Sequence, residues 1–284
     1  MLPRFGLYIH WPFCAAKCPY CDFNSHVRSA VDTQRWSRAL RSEIERLHRE
    51  TPDHILSTIF FGGGTPSLMP TQLVADLISD SRARWRTAND VEITLEANPT
   101  SVETQKFLEF RDAGVNRVSM GVQALNDADL RKLGRMHSAA DAMRALEKAK
   151  VAFDRVSIDL IYARQDQSVD AWRAELSQAL SLDLDHLSLY QLTIEPGTIF
   201  AKRHRAGRLL GLPQEDISAD MWDITQELTQ EAGMPAYEVS NHARLGAESQ
   251  HNILYWSGGD WGGIGPGAHG RLTIDGKRWA TETH

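Results

Sequence analysis

Apolar and β-branched residues gather in six short runs: 6–10 (GLYIH), 54–61 (HILSTIFF), 91–97 (VEITLEA), 115–123 (VNRVSMGVQ), 154–162 (DRVSIDLIY) and 186–192 (HLSLYQL). Runs of this length rich in Val, Ile, Tyr and Phe predict strands. The segments between them carry helical spacing, clearest from Asp32 (DTQRWSRALRSEIERLHRE), Pro70 (PTQLVADLISDSRARW) and Ala139 (AADAMRALEKAK). Two helix starts carry capping boxes, Thr100 with Glu103 and Ser138 with Asp141. Strands alternating with helices predict parallel βα units in an α/β fold, as an open sheet or as a full or partial barrel. We expect a partial parallel (β/α)6 barrel over residues 1–195, with its chemistry at the carboxyl ends of the strands. Beyond it a helix is expected from Pro213 to Ala232, followed by a tail rich in glycine and aromatic residues. Residues 196–284 are therefore expected to begin a second, smaller domain. No repeat of fixed period and no low-complexity tract interrupts the chain.

The 284 residues are 42% hydrophobic and 24% charged, the composition of a soluble globular protein able to bury a core. A net charge of −6, mixed along the chain, argues against a dedicated nucleic-acid binder. No apolar run reaches the roughly 18 residues of a membrane span. The first 13 residues lack the pattern of a secretory signal. A cytoplasmic protein is expected.

All three cysteines, Cys14, Cys18 and Cys21, fall in one stretch, "IHWPFCAAKCPYCDF", directly after the first predicted strand. Three thiols do not make a disulfide framework. A closed zinc site needs a fourth ligand, for which His10 and His26 are the nearest imidazoles. An electron-transfer [4Fe–4S] cluster wants four cysteines. Three thiolates instead leave one iron open to bind substrate or cofactor. Buried structural cysteines, a zinc site, and a Cys18–Pro19 heme motif are the competing readings. Tyr20 and Phe23 supply an aromatic wall that limits access to the site.

Cys-x-x-x-Cys-x-x-Cys resembles the signature of the radical S-adenosylmethionine (SAM) proteins, where SAM chelates the free iron of a [4Fe–4S] cluster. "FGGGTPS" (61–67) is similar to the glycine-rich segment of that superfamily, which implies that Gly63, Gly64 and Thr65 approach the methionyl amino group. It lacks the ending of a phosphate loop. "LEANPTS" (95–101), "RVSMGVQALNDADLRKLGR" (117–135), "SIDLIY" (157–162) and "LSLYQLTIEPGTIF" (187–200) resemble the coproporphyrinogen-III-oxidase-like branch. That resemblance implies SAM contacts from Tyr8, Tyr20, Glu96, Gln123, Arg135 and Asp159. Their chemistry suits the task. Carboxylates can hold ribose hydroxyls or an ammonium, and Arg135 can clamp a carboxylate.

Two functions compete within that branch: a coproporphyrinogen III dehydrogenase of porphyrin biosynthesis, and a HemW-type heme chaperone, which binds heme and hands it to acceptor proteins. The dehydrogenase pattern has a fourth cysteine where this chain has Phe23, and a longer segment before its cluster loop. "HNILYW" (251–256) resembles the His-Asn-x-x-Tyr-Trp motif of the chaperones. We expect the chaperone. His251 is then the candidate heme ligand, with His269 behind it, and Tyr255 and Trp256 are candidates to stack on the macrocycle. A radical SAM methyltransferase or cyclase is a third reading. "GPGAHG" (265–270) fits a dinucleotide fingerprint, but it is rejected because neither a clear strand before it nor a helix after it is expected. "ARQDQS" (163–168) departs from the family's loop after "DLIY". The chain resembles a fragmentary copy of the family, ending inside its carboxyl-terminal domain. Oligomeric state, a dimer included, is left open.

Overall fold

The computed structural model describes residues 3–283. Its elements, in chain order, are β1 (Arg4–Trp11), β2 (Phe13–Cys14), β3 (His26–Val27), α1 (Thr33–Glu50), β4 (Ile55–Gly63), α2 (Thr71–Arg84), β5 (Arg86–Ala97), α3 (Ser101–Thr104) and α4 (Phe107–Asp112). They continue as β6 (Arg117–Gln123), α5 (Asp127–Lys132), α6 (Ala139–Ala152), β7 (Arg155–Tyr162), α7 (Val169–Leu180), β8 (His186–Gln191), α8 (Ile199–Arg205) and α9 (Glu215–Glu231). The chain finishes with β9 (Asn241–Ala243), α10 (Gln250–Trp256), β10 (Asp260–Ile264), β11 (His269–Ile274) and β12 (Lys277–Glu282).

Ten of these strands form one sheet in the order β12-β11-β10-β1-β4-β5-β6-β7-β8-β9. From β1 to β8 every pairing is parallel, so the six predicted strands lie side by side in sequence order. β10 adds to the outer edge of β1 in parallel, and β9 closes the other edge antiparallel to β8. The segment beyond residue 195 thus extends the same sheet at both ends.

Side-chain alternation explains the layering. Phe5, Leu7 and Ile9 of β1, Ile59 and Phe61 of β4, Ile93 and Leu95 of β5, Val118 and Met120 of β6, and Ile158 and Leu160 of β7 are buried in the apolar core. Successive strand residues point to opposite faces, so the residues between them face the other way. That other face is polar: Tyr8, Glu96, Arg117, Ser119, Asp159 and Ser188, from five strands, line one inner chamber together with α10. The sheet therefore curves around a polar interior and presents its apolar face to the helices. α1 shows the match, burying Leu40, Ile44 and Leu47 at helical spacing. Each such side chain contributes about 1.5–3 kcal/mol on leaving water.

The predicted caps form in part. Ser138 and Asp141 make the full capping box of α6. At α3 Thr100 accepts from the Glu103 N–H, while the Glu103 carboxylate turns to the Ser67 hydroxyl and the Asn98 N–H. One expectation fails: "GPGAHG" does follow a strand, β10, because the glycines before it allow close packing. A Cβ on Gly262 would stand 2.3 Å from Leu47. The segment still leads into β11 rather than a helix, so the dinucleotide reading stays rejected.

Candidate functional site

The cysteine loop leaves the carboxyl end of β1 and is stitched to the glycine-rich loop leaving β4. The Gly64 N–H donates to Trp11 O at 2.8 Å and the Thr65 N–H to Phe13 O at 2.8 Å. This approach needs glycine, since a Cβ on Gly64 would meet three backbone atoms of Trp11 and Phe13 at 2.8–2.9 Å. Lys17 Nζ donates to the carbonyls of Phe23 and Ser25, and the Cys21 N–H donates to Cys18 O, curling the loop on itself. The three cysteines are free and partly exposed, and burial pushes the Cys14 and Cys21 thiols up. Among the described residues, no three His, Cys, Asp or Glu side chains group as ligands of a single metal ion.

A cavity of about 480 Å³ opens beneath that loop. Cys14, Cys18, Cys21 and Tyr20 form one wall, and Gly63, Gly64 and Thr65 a second. Glu96, Gln123, Arg135 and Asp159 complete it from the carboxyl ends of β5, β6 and β7 and the turn after α5. Tyr8 alone among the expected SAM contacts lies elsewhere. It lines a deeper chamber of about 210 Å³ that shares Glu96, Ser119, Asp159 and Tyr190 with the main cavity. Its hydroxyl sits 3.2 Å from His10 Nδ1.

Electrostatics distinguish the two carboxyls. Burial, then the neighbouring Asp159 charge, pushes Glu96 up to about 8 against the pull of the Gly63 N–H, which donates to it at 3.2 Å. Burial pushes Asp159 up to about 6, opposed by hydrogen bonds from Ser119 and Ser188. Arg135 donates to Asn98 Oδ1 at 2.5 Å, Gly121 O at 2.7 Å and Cys18 Sγ at 3.3 Å, which fixes the guanidinium over the cysteine loop. Asn98, which pairs through Nδ2 with Thr65 Oγ1, Ser119 and Gly121 were not singled out from sequence. Their signal was present in "EANP" and "RVSMG", at the ends of strands that already carried candidates.

The heme candidates separate. His251 is 1% exposed. Its Nδ1 lies 2.6 Å from Thr58 Oγ1 and its Nε2 2.7 Å from Tyr255 Oη, with the ring stacked on Phe60. Both nitrogens are paired, so in this structure the imidazole offers none to a ligand. Tyr255 packs on Trp261, Trp256 is 61% exposed, and His269 sits on β11 with its carbonyl accepting from Trp261. Thr58 and Glu92, which α10 contacts, precede Gly63 and Glu96 on their strands, so α10 is the floor of the barrel whose rim holds the cysteines.

A six-stranded parallel array with a triple-cysteine loop on its carboxyl rim defines the class: residues 8–173 match the Radical SAM superfamily model. The chain is 41% identical over 275 residues to "Heme chaperone HemW" of Escherichia coli, covering 96% of this chain and 71% of that protein. It is 43% identical over 274 residues to the mouse "Radical S-adenosyl methionine domain-containing protein 1, mitochondrial", covering 96% of this chain and 62% of that one. It thus spans roughly two thirds of the length of these relatives. Among solved structures, coproporphyrinogen III oxidase (HemN) of E. coli superposes with a TM-score of 0.79 at 24% identity, over 95% of this chain and 65% of that one. The chain belongs to the HemW-type branch of the radical SAM superfamily.

Membership implies a [4Fe–4S] cluster and SAM, and the residues fit both. Three free thiols share one wall, as cluster thiolates require. Among the described residues, Gln123 Oε1 and Arg135 Nε at the cavity are buried without a partner, which is costly unless a ligand supplies one. Among the described residues no helix is long and apolar enough to cross a membrane.

Proposed function

We propose that this chain binds a [4Fe–4S] cluster and SAM at the rim cavity, binds heme, and delivers it to acceptor proteins as a heme chaperone. Cys14, Cys18 and Cys21 would hold the cluster, whose open iron supplies a coordination position for SAM. Gly63, Gly64 and Thr65 bring backbone close to the ligand, and Glu96 and Asp159 accept from its ammonium or ribose. Gln123 and Arg135 answer its polar groups with the atoms that lack partners among the described residues. Tyr8 lines the chamber below, with its hydroxyl against His10 Nδ1.

The observation that carries this reading is the convergence on one cavity of three free thiols and three buried polar atoms, Ser25 Oγ, Gln123 Oε1 and Arg135 Nε, that find no partner among the described residues. The heme part is supported by the curated relatives' name, by "HNILYW" and by Phe23 at the position of a fourth cysteine. It does not require His251 as an iron ligand. The second reading, coproporphyrinogen III dehydrogenase, is favoured by the fold shared with HemN. Titration of the reconstituted protein with heme, and separately with coproporphyrinogen III plus SAM and reductant, tests the choice. Saturable heme binding without decarboxylation is expected, and turnover of coproporphyrinogen III would overturn the chaperone reading.

A further inference from the structure

We infer that Arg117, Ser157 and Ser119 form a directional hydrogen-bond relay that orients the Asp159 carboxylate and keeps it ionised, making all three positioning residues of the rim cavity. Arg117 Nη2 donates to Ser157 Oγ at 3.1 Å, the two serine hydroxyls lie 2.9 Å apart, and Ser119 Oγ donates to Asp159 Oδ1 at 3.0 Å. Only one direction satisfies every group. Ser119 gives its single proton to Asp159, so Ser157 must donate to Ser119 and accept from the guanidinium. Chains of this kind polarise each member in turn.

The register of the sheet builds it. β6 and β7 both carry Arg-Val-Ser, and they pair Arg117 with Arg155, Val118 with Val156 and Ser119 with Ser157. Ser119 and Ser157 are thus directly opposite, while Arg117 reaches Ser157 and Ser119 reaches Asp159 on the diagonal. The three side chains are buried, and Arg117 forms no ion pair with a carboxylate among the described residues. An arginine so buried and unpaired is costly unless its charge is answered. Asp159 answers it through two hydroxyls.

The charged and titratable groups that face Asp159 are Glu96 from β5, Arg117 from β6, Arg135 from the turn after α5 and Tyr190 from β8. Burial raises the Asp159 carboxyl, and the Ser119 hydrogen bond and Arg117 charge act the other way. Removing the relay therefore raises it further.

The inference uses the cofactor reading only for its second readout. The first is the carboxyl carbon-13 NMR titration of Asp159 in the protein alone. Ser119→Ala and Ser157→Ala should raise its midpoint by about one pH unit, and Ser119→Thr, which keeps the hydroxyl, should leave it near the wild-type value. In the second, the pH profile of SAM binding to cluster-loaded protein should move alkaline with the carboxyl, so that affinity is lost chiefly on the acid side. A midpoint unmoved in folded Ser157→Ala, or a loss of affinity equal at every pH, would overturn the relay. Wild-type protein that fails to bind SAM while the NMR shift appears would instead sink the cofactor reading and leave the relay standing.

Discussion

At the rim of the barrel, Gln123 and Arg135 bury polar atoms that find no partner among the described residues, and three cysteines carry free thiols. On the floor, α10 presents residues of equal chemical promise, but His251 has both nitrogens engaged and Tyr255 closes on it and on Trp261. A histidine and a tyrosine four residues apart look like a ligand site in sequence. In this structure they pair with each other. The two regions differ in what their side chains already hold: both His251 nitrogens are engaged within the floor, whereas Gln123 Oε1 and Arg135 Nε at the rim find no partner among the described residues.

The largest expected effect lies at the rim. Cys14→Ala, Cys18→Ala or Cys21→Ala should each abolish the cluster, since no spare cysteine exists; iron and sulfide analysis after anaerobic reconstitution checks this. On the floor, His251→Ala should cost about 2–5 kcal/mol in urea unfolding, because it opens a cavity and strands the Thr58 and Tyr255 hydroxyls. Its cluster content should remain that of the wild type, and parallel loss of both would erase the contrast. Glu96→Ala or Arg135→Ala should weaken SAM binding by about 1.5–3 kcal/mol, roughly 10- to 150-fold, with little loss of fold.

The two regions also titrate with opposite sign. His251 is pushed down to about 3 by burial, so its contribution is present above its ordinary value of 6.5 and is lost as pH falls from 6.5 toward 3. Glu96 is pushed up to about 8, so the folded state binds the extra proton and stability declines as pH rises from 4.5 to 8. Glu96→Gln should flatten the alkaline limb of the stability–pH curve and leave the acid limb intact. The smallest effect belongs to exposed Trp256, whose change to Ala should stay within about 0.5 kcal/mol.

Period and spacing made the rim legible in sequence. The six strands appear where the apolar runs lie, and all the expected cavity residues except Tyr8 share one cavity, because strand ends bring separate motifs to one side. The floor was not legible. Whether His251 faces a ligand or Thr58, 193 positions away, depends on long-range packing that local pattern does not carry. β10 was missed because its Gly262 and Gly263 serve close packing and lack β-branched character. The Arg117 relay left a trace in the repeated Arg-Val-Ser, which acquires meaning only once β6 and β7 are in register.

On the proposed function, the rim takes SAM on an open iron while the floor supports it. Electron paramagnetic resonance of the reduced, reconstituted protein with and without SAM tests it most directly. A spectrum that changes on saturation with SAM, and changes less in Arg135→Ala, is the predicted result. A spectrum that SAM leaves untouched in the wild type would contradict it.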